Sequence, residues 1–223
     1  MKEDVLEQVV DDYLQFEGYF TTHNVRFKPA KDDPDFVSQM DSVPSDVDVV
    51  GYHPKRSGPA RVAVVSCKAW QVGFDDSAIL AQLNGTAKNP KRPRQLQFRE
   101  LWIPKWSNAF VAAIESLTGQ REFTYYLAVT RLKGDGAGWA VDPTIRRNLR
   151  GNPFRFLTLE TMWSKVLSEV TTTPASSEMG RLAQILKAAG LTAPKAVVAP
   201  TEPTSGSDAA LEDMLDSEGM GER

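Results

Sequence analysis

Two closely spaced apolar stretches, residues 46–54 and 61–70, constrain the fold of this chain more than any other feature. Side chains of a β-strand alternate between its two faces, and a segment rich in Pro and Gly separates the stretches, so the pattern predicts a β-hairpin. On the first strand, alternation predicts Val47 and Val49 on one face and Asp46 and Asp48 on the other. On the second, it predicts two sets of three: Ala63, Val65 and Cys67 against Val64, Ser66 and Lys68.

The charged side chains of this hairpin mark the candidate functional site. Carboxylates and a lysine are costly to place in an apolar hairpin unless they have a partner. One interpretation is an ion pair between Asp48 and Lys68 at a sheet edge, with a structural role alone. The other is a site in which both groups act on a ligand.

An upstream helix acid extends this pattern. Glu7 lies in an amphipathic segment, Asp48 in an apolar strand, and Lys68 in the following strand. Over residues 3–90 this arrangement resembles the PD-(D/E)xK nuclease superfamily, with Asp48 and Lys68 as the motif Asp and Lys and Glu7 as the helix acid. Ser66 stands where that motif has Glu, Asp or Gln, two positions before the Lys.

The resemblance implies a restriction-endonuclease-like α/β fold, a three-layer core with a mixed central sheet. It also implies hydrolysis of nucleic-acid phosphodiesters with Mg²⁺ or Mn²⁺, because hard cations prefer oxygen ligands and stabilise charge on a scissile phosphate. Asp48 is the expected principal metal ligand, with Glu7 auxiliary and Asp46 assisting. Lys68 is expected to position the attacking water.

Ser66 puts a neutral hydroxyl where a carboxylate is expected, which weakens attraction to a divalent cation. Three outcomes stay open. Glu7 and Asp46 compensate and hydrolysis survives, or the chain binds nucleic acid or a protein partner without cleavage, or the Asp48–Lys68 pair is a structural remnant.

The rest of the chain is consistent with an α/β core that ends near residue 158. Periodicity predicts helices over 3–17, 75–83 and 106–117 and strands over 19–28, 122–132 and 154–157. Two amphipathic helices follow, one capped by Thr158 and one opening at Thr173-Pro174. We expect these helices to form an appendage over residues 159–192. It would pack either on the core of its own chain or, in a homodimer, on a second copy of the chain. Residues 193–223 are Ala/Pro/Ser/Thr-rich and then acidic, which predicts disorder.

Charge is distributed unevenly along the chain. Residues 1–48 hold 4 Lys/Arg against 12 Asp/Glu, residues 49–199 hold 21 against 10, and residues 200–223 hold 1 against 7. The basic middle predicts a polyanionic partner, DNA being the expected one, for which the acidic tail would compete. The expected contacts are five basic residues beside Trp102 and Trp106, namely Lys88, Lys91, Arg92, Arg94 and Arg99. The alternative is an exposed basic loop packed over the core by its tryptophans.

Other classes of protein are disfavoured by composition. A single cysteine, Cys67, allows no intramolecular disulfide, and with two histidines it supplies too few ligands for structural zinc. No apolar run reaches 18 residues, and the acidic Met1–Asp4 is unlike a signal peptide. We therefore expect a cytoplasmic protein with no membrane partner.

Overall fold

The computed structural model describes residues 4–87 and 94–191. Nine helices lie in these ranges: α1 Val5–Phe16, α2 Ser38–Asp41, α3 Asp76–Leu83, α4 Arg99–Trp102, α5 Pro104–Thr118, α6 Ala137–Val141, α7 Pro143–Asn148, α8 Leu159–Glu169 and α9 Glu178–Ala188. The strands of the same ranges are β1 Phe20–Phe27, β2 Ser45–Tyr52, β3 Val62–Lys68, β4 Phe74–Asp75, β5 Thr124–Val129, β6 Leu132–Lys133 and β7 Phe154–Thr158.

A five-stranded mixed sheet forms the centre of the fold, in the order β1-β2-β3-β5-β7. The first three strands are an antiparallel meander, and β3, β5 and β7 run parallel. The predicted hairpin is thus confirmed as β2 and β3, and the expected α/β class with a mixed sheet is confirmed. Two-residue strands β4 and β6 pair separately.

Hydrophobic clusters cover both faces of the sheet. On one face, residues of α5 such as Phe110 and Ile114 pack with Val62, Val64 and Tyr125. On the other face, residues of α1 pack with Ala63, Val65 and Ala128, and α8 adds Met162. Odd and even residues of β3 therefore lie on opposite faces as predicted, so Ser66 and Lys68 are on the α5 side.

The predicted alternation of β2 is wrong at one position. Val47 packs in the cluster on the α5 side, whereas Val49 packs in the cluster on the α1 side. Asp48 lies between them, opposite Asn24 of β1, whose backbone is left-handed at φ 54°. The ladder pairs residues on both sides of this position in one register, but Asn24 and Asp48 are not paired. Because of this interruption, Val47 is buried on one face of the sheet and Val49 on the other.

Helix ends follow their sequence signals in most cases. Asp75 and Thr158 cap α3 and α8 as predicted, each accepting a backbone N–H. Gly18 follows α1 with φ +87°, a conformation that favours glycine. Helix α9 begins later than predicted, with Ser177 as its cap.

The last two helices pack on α1 of their own chain. Ser177 Oγ donates a 2.6 Å hydrogen bond to Oδ2 of Asp12, which is buried in α1. The amphipathic pattern of α9 predicts that Leu182 and Ile185 face inward, but both are exposed, and its buried residues are Gly180 and Ala183. The predicted homodimer stays a prediction. None of the helices in the described ranges has the length and apolarity needed to cross a bilayer.

Candidate active site

A polar cleft of about 300 Å³ opens beside the ends of β2 and β3. Seven of the side chains that line it are charged or hydroxyl-bearing: Ser45, Asp46, Asp48, Ser66, Lys68, Arg99 and Glu100. Trp70, Leu96 and Gln97 complete the lining. The structure thus gathers Asp48, Lys68 and Ser66, which the sequence predicted, and adds a carboxylate from α4 that it did not.

Asp48 is half-buried in this cleft. Its Oδ2 accepts a 2.5 Å hydrogen bond from the backbone N–H of Cys67 on β3. Burial raises the pKa of Asp48, and the charges of Asp46 and Glu100 raise it further, while the Cys67 N–H and Lys68 act in the opposite direction. A carboxylate with neighbouring negative charge gains from a bound cation, so this environment favours one.

Lys68 and Ser66 lie beside each other on the α5 side of β3. Lys68 Nζ is 3.4 Å from Ser66 Oγ and 5.8 Å from the centroid of the Phe98 ring. The Lys68 side chain is half-buried, and Ser66 is only 6% exposed. Lys68 forms no salt bridge with an acidic side chain among the described residues. Its N–H donors are therefore available to a ligand.

Glu100 is the cleft carboxylate that was not predicted from the sequence. It is 7% exposed, and its Oε1 accepts a 2.7 Å hydrogen bond from the Tyr125 hydroxyl of β5. Burial, followed by the charge of Glu100 and this bond, raises the pKa of Tyr125 well above its ordinary value, so the phenol stays a donor. Ser66 interacts with the same hydroxyl.

Glu7 lies on α1, whose neighbouring residues pack on the sheet face opposite α5. Glu7 is not one of the described residues that line the cleft. Burial raises the pKa of Glu7, and the negative charges of Asp48, Asp4 and Asp46 raise it further. Glu7 and Asp48 therefore interact electrostatically. The predicted metal-binding role of Glu7 stays a prediction. Asp46 is exposed at the cleft entrance.

The basic segment is described only in part. Lys88, Lys91 and Arg92, and the side chain of Arg94, lie outside the described residues. Residues Arg94–Phe98 form a 3₁₀ turn rather than the extended chain expected from the prolines. Arg99 lines the cleft, with its guanidinium 4.3 Å from the centroid of the Trp106 ring.

Trp106 is not available for stacking on a base. It is 1% exposed, and its Nε1 donates a 2.9 Å hydrogen bond to Asp41. Asp41 also accepts from Lys105 Nζ at 2.6 Å. Burial opposes ionisation of Asp41, but the donors from Lys105, Val37 and Trp106 outweigh it and lower its pKa. Trp70 lines the cleft and stacks on Phe74, with the ring centroids 5.3 Å apart.

No family model matches this chain, and neither the curated proteins nor the solved structures contain a match to it.

Proposed function

We propose that this chain is a metal-dependent hydrolase of nucleic-acid phosphodiesters with a restriction-endonuclease-like core. The order of its elements supports the fold: a helix, an antiparallel three-stranded meander, a helical connection and a parallel strand. The positions of Asp48 on β2 and Lys68 on β3 support the PD-(D/E)xK resemblance.

One observation carries the proposal. Two carboxylates, Asp48 and Glu100, and one ammonium, Lys68, line the same open cleft although they come from three different elements. A structural ion pair needs no third charged group and no opening to solvent. A phosphodiester hydrolase needs both, because it must hold a cation and admit a polyanion.

The donor set fits Mg²⁺ or Mn²⁺ in a particular way. In the described ranges no three His, Cys, Asp or Glu side chains come together as a metal site. Mg²⁺ is commonly held by one or two carboxylates, with waters and substrate phosphates as its other ligands. Asp48 and Glu100 would hold the ion. Once bound, it would stabilise the charge that develops on the scissile phosphate.

In this proposal Glu100 supplies the carboxylate that is absent at position 66. The carboxylate missing from β3 is supplied from α4, and its position is fixed by the Tyr125 hydroxyl. Ser66 is small enough to leave room for this carboxylate. In this proposal Ser66 is a spacer and a hydrogen-bond partner of Lys68 rather than a metal ligand.

Two cations of the cleft act on the phosphate and the water. Lys68, whose Nζ lies 5.8 Å from the centroid of the Phe98 ring, places positive charge where negative charge develops and orients the attacking water through its donors. Arg99 is positioned by its contact with Trp106 and presents donors to a phosphate of the bound strand. Trp70 adds an aromatic side chain to the lining of the cleft.

The test is cleavage of end-labelled single- and double-stranded DNA and RNA with Mg²⁺, Mn²⁺ or EDTA. Asp48→Ala, Lys68→Ala and Glu100→Gln are each expected to lower the rate by on the order of 10²-fold or more. Glu160→Gln and Lys133→Ala remove matched charges from exposed positions outside the cleft and are expected to leave it unchanged. Cleavage that survives Asp48→Ala, or that persists in EDTA, would contradict the proposal.

A binding module without catalysis is the second candidate function. The same two-carboxylate count favours it, since a fully formed metal cage is not present among the described residues. It predicts salt-sensitive binding that is weakened by Arg99→Ala, with no cleavage under any metal.

A further inference from the structure

A second, larger depression lies between β1 and α5. This depression, here termed the alanine groove, has a volume of about 720 Å³, within the range of ~300–1,000 Å³ typical of ligand sites. Its floor is apolar and is formed by Ala109, Ala112 and Ala113 of α5 with Phe27 of β1. Methyl side chains on the floor let another backbone approach α5 closely.

The rim of the alanine groove carries more basic than acidic side chains. Arg26 and Lys28 both line it and are exposed, and neither has an ion-pair partner among the described residues. Lys105 also lines it but is paired with Asp41 at 2.6 Å. Asp33 is the acidic member of the lining, and its Oδ1 accepts the N–H of Asp35 at 2.9 Å. An apolar floor with two such cations fits an acidic peptide with an apolar face.

The chain itself contains such a peptide. Residues 208–216, Asp-Ala-Ala-Leu-Glu-Asp-Met-Leu-Asp, hold four acids and no basic residue. Leu211, Met214 and Leu215 have the i, i+3, i+4 spacing that puts three apolar side chains on one face of a helix. The four acids leave that face free to enter an apolar groove.

The segment is long enough to reach the groove. Nineteen residues lie between Leu191, the last described residue, and Leu211, and three of them are proline. A proline-rich chain extends by about 3.1 Å per residue, so this linker spans roughly 60 Å. A domain of this size has a radius of gyration of roughly 16 Å, and hence a diameter on the order of 40 Å. The extended linker is therefore longer than the domain is wide, which allows the segment to pass around an edge of the sheet toward the groove.

We propose that residues 208–216 dock in the alanine groove of their own chain. Leu211, Met214 and Leu215 lie on the alanine floor, and the acids face Arg26 and Lys28. The docking does not depend on the cleft being catalytic.

The test is zero-length carbodiimide crosslinking of the full chain, followed by peptide mass spectrometry. We expect an amide link between Lys28 and Glu212, Asp213 or Asp216. The triple variant Leu211→Ala, Met214→Ala, Leu215→Ala keeps every acid and is expected to lower the yield at least fivefold. The control Val197→Ala, Val198→Ala truncates tail side chains outside the segment and should leave the yield unchanged.

A charge exchange separates recognition from loss of reactive groups. Arg26→Glu with Lys28→Glu should abolish the link, and Glu212→Lys with Asp213→Lys should lower its yield at least fivefold, because Asp216 alone is then left of the three expected partners. The four substitutions together should restore it, now between a carboxylate introduced on β1 or just after it and an ammonium introduced in the tail. A mixture of ¹⁵N-labelled and unlabelled protein should yield no mixed-mass links.

Three results would overturn the proposal. One is a link that forms only between two copies of the chain. Another is that Lys28 reacts with an amine reagent from solvent but forms no link to the tail in any sample. The third is weaker DNA binding in the Arg26→Glu, Lys28→Glu variant with no tail link in the parent, which would assign the groove to nucleic acid.

Discussion

The Tyr125 hydroxyl donates a 2.7 Å hydrogen bond to Glu100 Oε1, which joins the centre of the sheet to the short helix α4. Both side chains are buried, Tyr125 fully. Tyr125→Phe leaves the Glu100 carboxylate without this donor, and an unsatisfied buried polar group costs about 1–3 kcal/mol. We expect a lower free energy of unfolding in urea by about that amount, and weaker Mg²⁺ dependence of any cleavage. Tyr52→Phe, which removes a half-buried hydroxyl on β2, is the control. Equal losses in both variants would contradict a specific role for the bond.

Asp48→Asn should stabilise the fold at neutral pH while removing activity. The folded-state pKa of Asp48 is raised, chiefly by burial, so protonation favours the native state. The corresponding stability is present below the unfolded pKa and is lost as pH rises through the folded pKa. Asparagine keeps the acceptor for the Cys67 N–H and is not ionised. We therefore expect the variant to have the higher Tm at neutral pH and the difference to shrink as the pH falls toward the ordinary Asp value of 3.8. A difference that grows on acidification would refute this sign.

Added Mg²⁺ supplies a second readout for the same variant. A cation that binds only the folded state stabilises it by about 2.7 kcal/mol at a hundredfold excess over Kd. We expect the wild-type Tm to rise with Mg²⁺ and that of Asp48→Asn to stay constant. Parallel rises in both proteins would place the ion elsewhere.

Ser66→Glu should raise Mg²⁺ affinity at a cost in stability without metal. The new carboxylate enters a nearly buried position beside Glu100, and two like charges there repel. The cation offsets that repulsion, so the Tm should fall in EDTA and rise with Mg²⁺ more than in the wild type. In Ser66→Glu, Glu100→Gln the carboxylate is moved rather than added, and we expect the loss in EDTA to be smaller. Unchanged Mg²⁺ affinity in Ser66→Glu would argue against the placement of the site.

Asn24→Val tests the interruption of the β1–β2 ladder. Asn24 has φ 54°, a conformation that costs a β-branched residue roughly 1–2 kcal/mol or more. We expect Asn24→Val to lower the free energy of unfolding and Asn24→Gly to leave it within about 0.5 kcal/mol, since glycine adopts this conformation readily. Equal stability in the two variants would mean that the strand relaxes to regular pairing.

Local patterns predicted most of the fold and about half of the cleft. Alternation placed Ser66 and Lys68 on one face, and cap residues placed the ends of several helices. Alternation failed at Asp48 because Asn24, a residue on another strand, breaks the ladder there. Exposure of Leu182 and Ile185 was not predicted because periodicity alone does not say which stripe of a short helix meets α1.

Glu100 could not be assigned from sequence spacing. It is 32 residues from Lys68 and reaches the cleft only because α4 packs on α5 and α7 and its carboxylate meets Tyr125 of β5. Its partner Tyr125 lies 25 residues further on. Nothing local to either residue encodes that contact.

Cys67 turns one structural detail into a practical tool. Its backbone N–H holds Asp48 on one side of the sheet, while its thiol packs on the opposite side with the α1 cluster. Burial raises the thiol pKa well above its ordinary value, which slows alkylation of the native chain. As the only cysteine of the sequence, it lets the rate of alkylation at constant pH report how often the contact between α1 and this face of the sheet loosens, in the unmodified protein and without a dye or label.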